Sequence, residues 1–158
     1  MTPQEIYDTL KSQFGESILE LKSDVPDPYI KVAAPAIKDI AKFLRDDDRV
    51  QFDYLSCLSG VDLQQNMLAV VYDLASMTLR HKVALRVEVP AESPQVPSVE
   101  SVWKSANWHE REAYDLIGIM FAGHPDLRRI LLPYDWEGYP LRKDYKLPEF
   151  YNGMKVPY

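Results

Sequence analysis

The stretch Leu-Arg-His-Lys-Val-Ala-Leu-Arg-Val-Glu-Val at residues 79–89 decides the fold class of this chain. Apolar residues and one histidine occupy every second position, and the positions between them are mostly charged. Because alternate side chains of a strand point to opposite faces, this pattern predicts a half-buried antiparallel strand. The buried face is predicted to carry Leu79, His81, Val83, Leu85, Val87 and Val89, and the other face Arg80, Lys82, Ala84, Arg86 and Glu88.

Four further segments are predicted to join this strand in one sheet. Residues 52–58 and 67–74 are rich in β-forming side chains and flank a polar connection. Residues 17–23 and 29–33 flank a proline-containing turn, which is typical of two short strands. These segments indicate that sheet occupies the centre of the chain.

Helices are predicted on both sides of the central strands. Residues 2–14 begin with Thr2 and Glu5 at capping-box spacing, and a second helix is predicted to open at Pro35. Further along, Ser98 is predicted to cap a short helix that carries Val99, Val102 and Trp103. Asn107, paired with Glu110, is predicted to cap a helix that ends at Gly118. The fold class is therefore α+β: two N-terminal helices, a mainly antiparallel sheet of four to six strands with helices on one face, and an extended C-terminal tail.

The composition excludes several classes of protein. Of the 158 residues, 46% are apolar and 27% are charged, as in ordinary soluble domains. The single cysteine, Cys57, excludes a self-contained four-cysteine iron–sulfur or zinc site, and it is expected to be buried as a small apolar residue. A net charge of −6 argues against nucleic-acid binding. No apolar run approaches the roughly 20 residues that span a bilayer, so membrane contact is expected only through partners.

Two parts are predicted, an α+β globular domain at residues 1–132 and an extended partner-binding tail at residues 133–158. The tail has four prolines and no helical or alternating pattern, yet it contains seven of the 18 aromatic residues. Disordered segments are normally poor in aromatic side chains. The rings are therefore expected to be buried, either against the domain or on another protein.

Candidate catalytic groups are few. Glu110, Glu112 and Asp115 resemble a carboxylate cluster, but acidic residues near a helix start usually complement the helix dipole, so capping and solvation are the preferred interpretation. The histidines are scattered: His81 is expected to be a satisfied core residue, and neither His109 nor His124 has the spacing of a metal site. An independent hydrolase that uses the three carboxylates stays open as an alternative.

Three sequence blocks stand out in the second half of the chain. They read E-R-E-x-Y-D at 110–115, G-H-P-x-L-R-R-I-L at 123–131 and W-x-G-x-P-L-R-K-D-Y at 136–145. In this order and spacing they resemble the signature of the 30 kDa subunit family, which is the C subunit of the proton-pumping NADH:quinone oxidoreductase, respiratory complex I. Ile117 and Tyr139 depart from the family pattern, since many relatives have a large aromatic and a histidine there.

The resemblance implies a structural and assembly component of the peripheral arm, with no catalytic residues and no cofactor of its own. NADH, FMN, iron–sulfur clusters and quinone are expected in partner subunits of an enzyme that couples electron transfer to proton translocation. The implied partners are the D subunit, at the quinone site, and the neighbouring iron–sulfur B and I subunits, at the cytoplasmic face of the plasma (inner) membrane. Equivalent subunits of photosynthetic-membrane oxidoreductases and membrane-bound hydrogenases stay open as alternatives.

The partner surface is predicted from the charged and aromatic residues of these blocks. We expect Trp136 and Tyr139 to enter pockets on a partner, Gly138 to allow close backbone approach, and the cations to pair with carboxylates. Gly118 and Gly123 are expected to form turns that place the end of the helix beside the tail. The predicted contact residues are Glu110, Arg111, Glu112, Arg128, Arg129, Trp136, Tyr139, Arg142, Lys143 and Tyr145.

Overall fold

A computed structural model describes residues 1–156, so Tyr158 of the predicted tail lies outside the described residues. Five strands form the central sheet: β1 (Ile18–Lys22), β2 (Tyr29–Val32), β3 (Tyr54–Gln64), β4 (Met67–Ser76) and β5 (His81–Pro90). They are arranged in the order β1-β2-β5-β4-β3. All neighbours are antiparallel except β2 and β5, which are parallel. The long connection that parallel neighbours require is supplied here by α2, β3 and β4.

The remaining elements are three helices and two small strand pairs. The helices are α1 (Pro3–Phe14), α2 (Ile37–Asp46) and α3 (Ala106–Ile117), with short 3-10 turns at Gly15–Ser17 and Ala34–Ala36. Strands β6 (Gln95–Pro97) and β7 (Met120–Ala122) pair in parallel, and β8 (Phe150–Tyr151) pairs with β9 (Met154–Lys155) as a hairpin. The predicted α+β class, with helices on one face of a mainly antiparallel sheet, is confirmed.

The alternating stretch forms β5 and buries the predicted face. His81, Val83, Leu85, Val87 and Val89 are all buried against the helices. His81 is a satisfied core residue, as expected, because its Nε2 lies 2.7 Å from the carbonyl oxygen of Val50. Leu79 was predicted on this face but is exposed, since the strand begins two residues later, after a turn.

The first helix follows its sequence signals closely. The Thr2 hydroxyl accepts a hydrogen bond from the backbone N–H of Glu5, and the Glu5 carboxylate accepts one from the N–H of Thr2. Such reciprocal bonds satisfy two of the N–H groups that have no partner at a helix start. Ile6 and Leu10 then point into the core, as helical spacing predicts.

Three local predictions are wrong. Ser98 does not begin a helix: residues 99–103 make a single turn, in which the N–H of Trp103 donates to the carbonyl of Val99. Asn107 does not cap α3, because the helix begins at Ala106 without a side-chain cap and Asn107 lies inside its first turn. Glu110, its predicted partner, binds Ser98 and Val99 instead. Strand β3 runs on to Gln64, so the predicted polar connection is mostly edge strand.

Cys57 is exposed, which contradicts the expectation that it is buried. The register of β3 against β4 shifts between Leu55 and Cys57. A bulge of this kind places an extra residue in one strand and changes which side chains face the core. Local apolar composition does not reveal such a shift.

Candidate functional site

Asp115 anchors the segment that leads into the tail. Its carboxylate is 0% exposed on α3, and Oδ1 accepts a 2.8 Å hydrogen bond from Arg129 Nη1. Oδ2 accepts from three successive backbone N–H groups, those of Ile130, Leu131 and Leu132, at 2.7–3.0 Å. Four donors therefore converge on one buried carboxylate, and they hold residues 129–132 against the end of α3.

The pKa of Asp115 reflects this competition between burial and hydrogen bonding. Burial by itself raises the pKa, but the N–H groups of residues 130–132 and the Arg129 guanidinium outweigh burial and lower it. Asp115 is therefore charged in the folded chain at neutral pH. A charged buried group with this many donors is a structural anchor, contrary to the prediction that it caps and solvates a helix.

The three carboxyl groups of the first sequence block do not converge. Glu110 is fully buried and accepts hydrogen bonds from Ser98 Oγ (2.6 Å) and the Val99 N–H (2.7 Å). Glu112 is exposed, and Asp115 faces the start of the tail. The hydrolase arrangement requires the three groups to share one site, and they lie in three different environments.

Arg111 and Arg128 form one side of the predicted surface. The Arg111 Nε donates to the carbonyl of Arg128 at 3.3 Å, and its guanidinium carbon lies 4.9 Å from the ring centre of Trp108. Trp108 is itself exposed, as is Arg128, whose side chain pairs with Asp126 at 2.9 Å. Arg111 is thus buried in contacts within this chain, whereas the side chains of Trp108 and Arg128 face solvent.

Tyr139 is held between two arginines at the end of α3. Its ring centre lies 5.3 Å from the Arg129 guanidinium carbon and 4.8 Å from that of Arg142. Arg142 Nε donates to the carbonyl of Ile117 at 2.6 Å, and Arg129 Nη2 donates to the carbonyl of Gly138. The ring packs on this chain's own helix end, as expected for the turn at Gly118.

Gly118 allows this contact in two ways. It ends α3 in the left-handed region (φ +82°), and a Cβ built there would lie 2.6 Å from Tyr139 Cε2. Gly123 has the same φ but has no atom within 4 Å of a built Cβ, so it is a matched control. Comparing substitutions at the two glycines therefore distinguishes the cost of backbone strain from the cost of displacing the Tyr139 ring.

We expect Gly118→Ala to destabilise the chain by about 2–4 kcal/mol, because left-handed strain adds to displacement of the Tyr139 ring. Gly123→Ala carries the strain alone and is expected to cost about 1–2 kcal/mol. Urea unfolding of both variants measures the difference. Equal losses in the two variants would show that the tyrosine contact contributes nothing to stability.

The middle of the tail forms a small aromatic cluster. Trp136 Nε1 donates to the hydroxyl of Tyr145 at 3.0 Å, and the Trp136 ring lies 5.0 Å from the ring of Tyr151. Gly138 permits close approach as predicted, but to Tyr145 of this chain, whose ring a Cβ would meet at 2.8 Å. Trp136 is half-buried within its own segment.

Lys143 is the point where the tail meets the sheet. Its backbone N–H donates to Asp62 Oδ2 at 2.8 Å, near the end of β3, while its side chain stays exposed. Nearby, the N–H of Leu141 donates to the carbonyl of Leu116. Residues 139–143 therefore lie along the junction of α3 and β3, and the tail folds back over its own domain here.

Among the described residues from 131 to 156, six large apolar side chains remain exposed, although the backbone is held in place. We call them the tail surface: Leu131, Tyr134, Leu141, Leu147, Phe150 and Met154. Tyr134 is the most exposed of them, at 94%. Several exposed apolar side chains on one ordered segment make it a candidate for contact with another protein.

The sequence singled out this segment by its signature, but it did not reveal several of the groups that shape it. Asp115, Asp62 and Ser98 were not predicted as anchors. Glu110 was predicted to contact a partner at the surface, but it is fully buried and presents no atom to a partner. The only available signal was that Glu110 and Asp115 both belong to the first sequence block.

Among residues 1–156, no three His, Cys, Asp or Glu side chains are grouped so that they could hold a metal ion. No helix of this part of the chain combines the length and apolar character needed to cross a membrane.

Comparison with known families gives a clear match. A family model described as "Respiratory-chain NADH dehydrogenase, 30 Kd subunit" matches residues 30–151. A protein of Chloroherpeton thalassium, named as the C subunit of NADH-quinone oxidoreductase, is 49% identical over 159 residues, which cover 99% of this chain and 66% of that protein. One of the same name from Chlorobium phaeobacteroides is 49% identical over 155 residues, covering 96% of this chain and 93% of the relative.

A solved structure has the same fold. It is described as the trypsin-resistant fragment (1-134) of Nqo5, with a TM-score of 0.63 and 29% sequence identity. The match covers 80% of this chain and all of that one. The architecture described above is therefore shared with an experimentally determined relative.

Proposed function

This chain belongs to the 30 kDa subunit family of the respiratory-chain NADH dehydrogenase, and on that premise we propose that it is a cofactor-free structural and assembly subunit of NADH–quinone oxidoreductase. The observation that carries the proposal is the tail surface, a set of exposed apolar side chains on a segment that the Asp115 hydrogen bonds and the Tyr139 contacts hold against the domain. Ordering a segment before it binds reduces the entropy lost on association.

The proposed partner at this surface is the quinone-site D subunit, with the iron–sulfur B and I subunits nearby. Exposed charged groups adjoin the apolar residues: Glu112, Arg128 and Lys143 are all accessible. Arginine and aromatic side chains contribute most of the binding energy in many interfaces, and surrounding charges set the orientation of the partners. Trp136, Tyr139, Arg129, Arg142 and Tyr145 act by shaping the tail rather than by entering partner pockets.

The electron carriers are proposed to lie outside this chain. A single cysteine cannot supply the four thiolates of an iron–sulfur cluster, which supports placing the clusters, FMN, NADH and quinone in other subunits. No residue of this chain is proposed to be catalytic. The chain is proposed to reach the cytoplasmic face of the membrane as a peripheral part of the complex.

Replacing Tyr134 with alanine tests the proposed contact. Because the ring is almost fully exposed, we expect no change in stability but a roughly 10- to 30-fold weaker association, as for loss of an aromatic anchor. The tagged full chain is purified from native membranes, and co-purifying NADH–quinone oxidoreductase subunits are quantified by mass spectrometry. Tyr54→Ala is the matched control, since Tyr54 is an exposed tyrosine on β3.

Equal recovery of the other subunits by both variants would contradict the role of the tail surface. Recovery of a different set of partners by the unmodified chain, without the quinone-site protein, would contradict the proposed function itself.

A further inference from the structure

A polar group lies buried between the sheet, α3 and the β6–β7 pair. The Glu110 carboxyl group is fully enclosed, with Ser98 Oγ at 2.6 Å from Oε2 and the Val99 nitrogen at 2.7 Å from Oε1. His124 Nε2 lies 4.0 Å from Oε2, and its side chain is also fully buried. These residues come from three separate parts of the chain.

None of these immediate neighbours supplies a fixed positive charge. Ser98 and the Val99 N–H are neutral donors. His124 accepts a hydrogen bond at Nδ1 from the N–H of Asp126, so Nε2 carries the proton and donates to the carbonyl of Asn107. The imidazole is satisfied in its neutral form, and a charged Glu110 would be a buried anion with no cation beside it.

Tyr72, on β4, is the buried sheet residue whose phenol is affected by the charge of Glu110. Tyr72 is 1% exposed on β4, and within residues 1–156 its hydroxyl has no hydrogen-bond partner. Burial raises the pKa of the Tyr72 phenol, and the charge of the Glu110 carboxylate raises it further.

We propose that Glu110, Ser98, His124 and Tyr72 form an internal proton-binding site, in which the Glu110 carboxyl group exchanges one proton with solvent while the chain stays folded. Both protonation states can be accommodated. The apolar surroundings favour the neutral acid, whereas the Ser98 hydroxyl and the Val99 N–H, which both donate to the carboxyl oxygens, favour the carboxylate. This inference does not depend on the proposed function.

The surrounding charges agree with exchange near neutral pH. Burial is the largest effect and raises the pKa of Glu110 to about 7, against the lowering by the hydrogen bonds from Ser98 and Val99. The charge of Glu100, in the turn beside Ser98, raises it, and that of Lys38, on α2, lowers it. No arginine or lysine lies in hydrogen-bond contact with the carboxyl group among the described residues.

Because folding raises the pKa of Glu110, the stability of the folded chain is expected to fall as the pH rises. A carboxyl group whose pKa is raised by folding stabilises the chain fully below its ordinary value of 4.5, and this stabilisation is lost as pH rises through about 7. Between about pH 5 and pH 8, Glu110 alone is expected to increase the unfolding equilibrium constant by roughly 10- to 100-fold.

The test is an NMR titration of the full-length chain labelled with ¹³C at the glutamate carboxyl carbons. We expect one carbon to titrate near neutral pH in the unmodified protein, to vanish in Glu110→Gln and to persist in Glu112→Gln. Glu112 is the matched control because it is an exposed glutamate two residues along the same helix. Ser98→Ala removes a donor to the carboxylate, so it is expected to raise the titration midpoint further.

The titration of the unmodified protein decides the matter even if a variant fails to fold. The proposal is overturned if every glutamate carbon titrates in the ordinary range around pH 4–5, as exposed carboxyl groups do. It is equally overturned if the late-titrating carbon survives Glu110→Gln.

Discussion

Asp115→Asn is expected to destabilise the folded chain by about 3–5 kcal/mol, as for breaking a buried ion pair by removing one partner. The amide keeps the size of the carboxylate but turns one acceptor into a donor. That donor then faces either Arg129 Nη1 or the three backbone N–H groups of residues 130–132. In a thermal melt this loss corresponds to a decrease in Tm of roughly 10 °C for a chain of this size.

Asp126→Asn is the matched control for this variant. Asp126 also pairs with an arginine, Arg128, at 2.9 Å, but both side chains are more than half exposed. Exposed pairs contribute about 0–1 kcal/mol, so this variant is expected to melt close to the unmodified protein. Similar melting temperatures for the two variants would show that the buried carboxylate does not hold the tail.

Asp115 also has a predictable pH signature. Because its pKa is lowered in the folded chain, its contribution is present above the ordinary pKa of 3.8 and is lost as pH falls through the lowered value. Unfolding experiments at neutral and acidic pH should therefore bring Asp115→Asn and the unmodified protein closer together as the pH is lowered.

Removal of residues 133–158 is expected to abolish assembly into the oxidoreductase while leaving a folded domain. The buried core runs from Ile6 to Phe121, so the truncation removes none of it, and the Asp115 anchor at residues 129–132 also remains. The tail surface loses all but Leu131. Each lost interface anchor weakens association by about 2 kcal/mol, or roughly 30-fold in the dissociation constant, so the loss of several is expected to abolish detectable assembly.

Two measurements on the truncated chain are needed together. A cooperative thermal transition shows that the domain folds, and quantitative co-purification from native membranes reports assembly. The full-length Tyr54→Ala chain passes through the same purification as a control. If the truncated chain folds and still recovers the other subunits at the normal level, the tail acts within its own domain and the assembly role is wrong.

The fold was largely predictable because its strongest signals are local. The alternation at residues 79–89 has a period of two, and the capping box of Thr2 and Glu5 spans one helical turn. Patterns of this kind depend on neighbouring residues alone. The parallel pairing of β2 with β5 was beyond such patterns, because it is set by a connection of about 50 residues.

The candidate site was only partly predictable, since its residues depend on distant partners. The sequence singled out residues 110–145 as the segment that carries the family signature, but it did not reveal the environments of Glu110 and Asp115. Each carboxyl group finds its partners 11 to 17 residues away, across turns whose geometry has no local signature. The exposure of Cys57 similarly depends on a bulge that only strand pairing reveals.

The α+β class, the buried face of β5, the family and the position of its signature could all be inferred from the amino-acid sequence. Other features depend on contacts between distant segments: which carboxylates are buried, that Tyr139 packs on Gly118, and that six apolar side chains between residues 131 and 154 stay exposed while the Trp136 and Tyr139 rings do not. The physical reason is the distance along the chain over which the interactions act. Backbone periodicity and capping act over a few residues, whereas burial and hydrogen-bond partners are set by contacts between segments far apart in the chain.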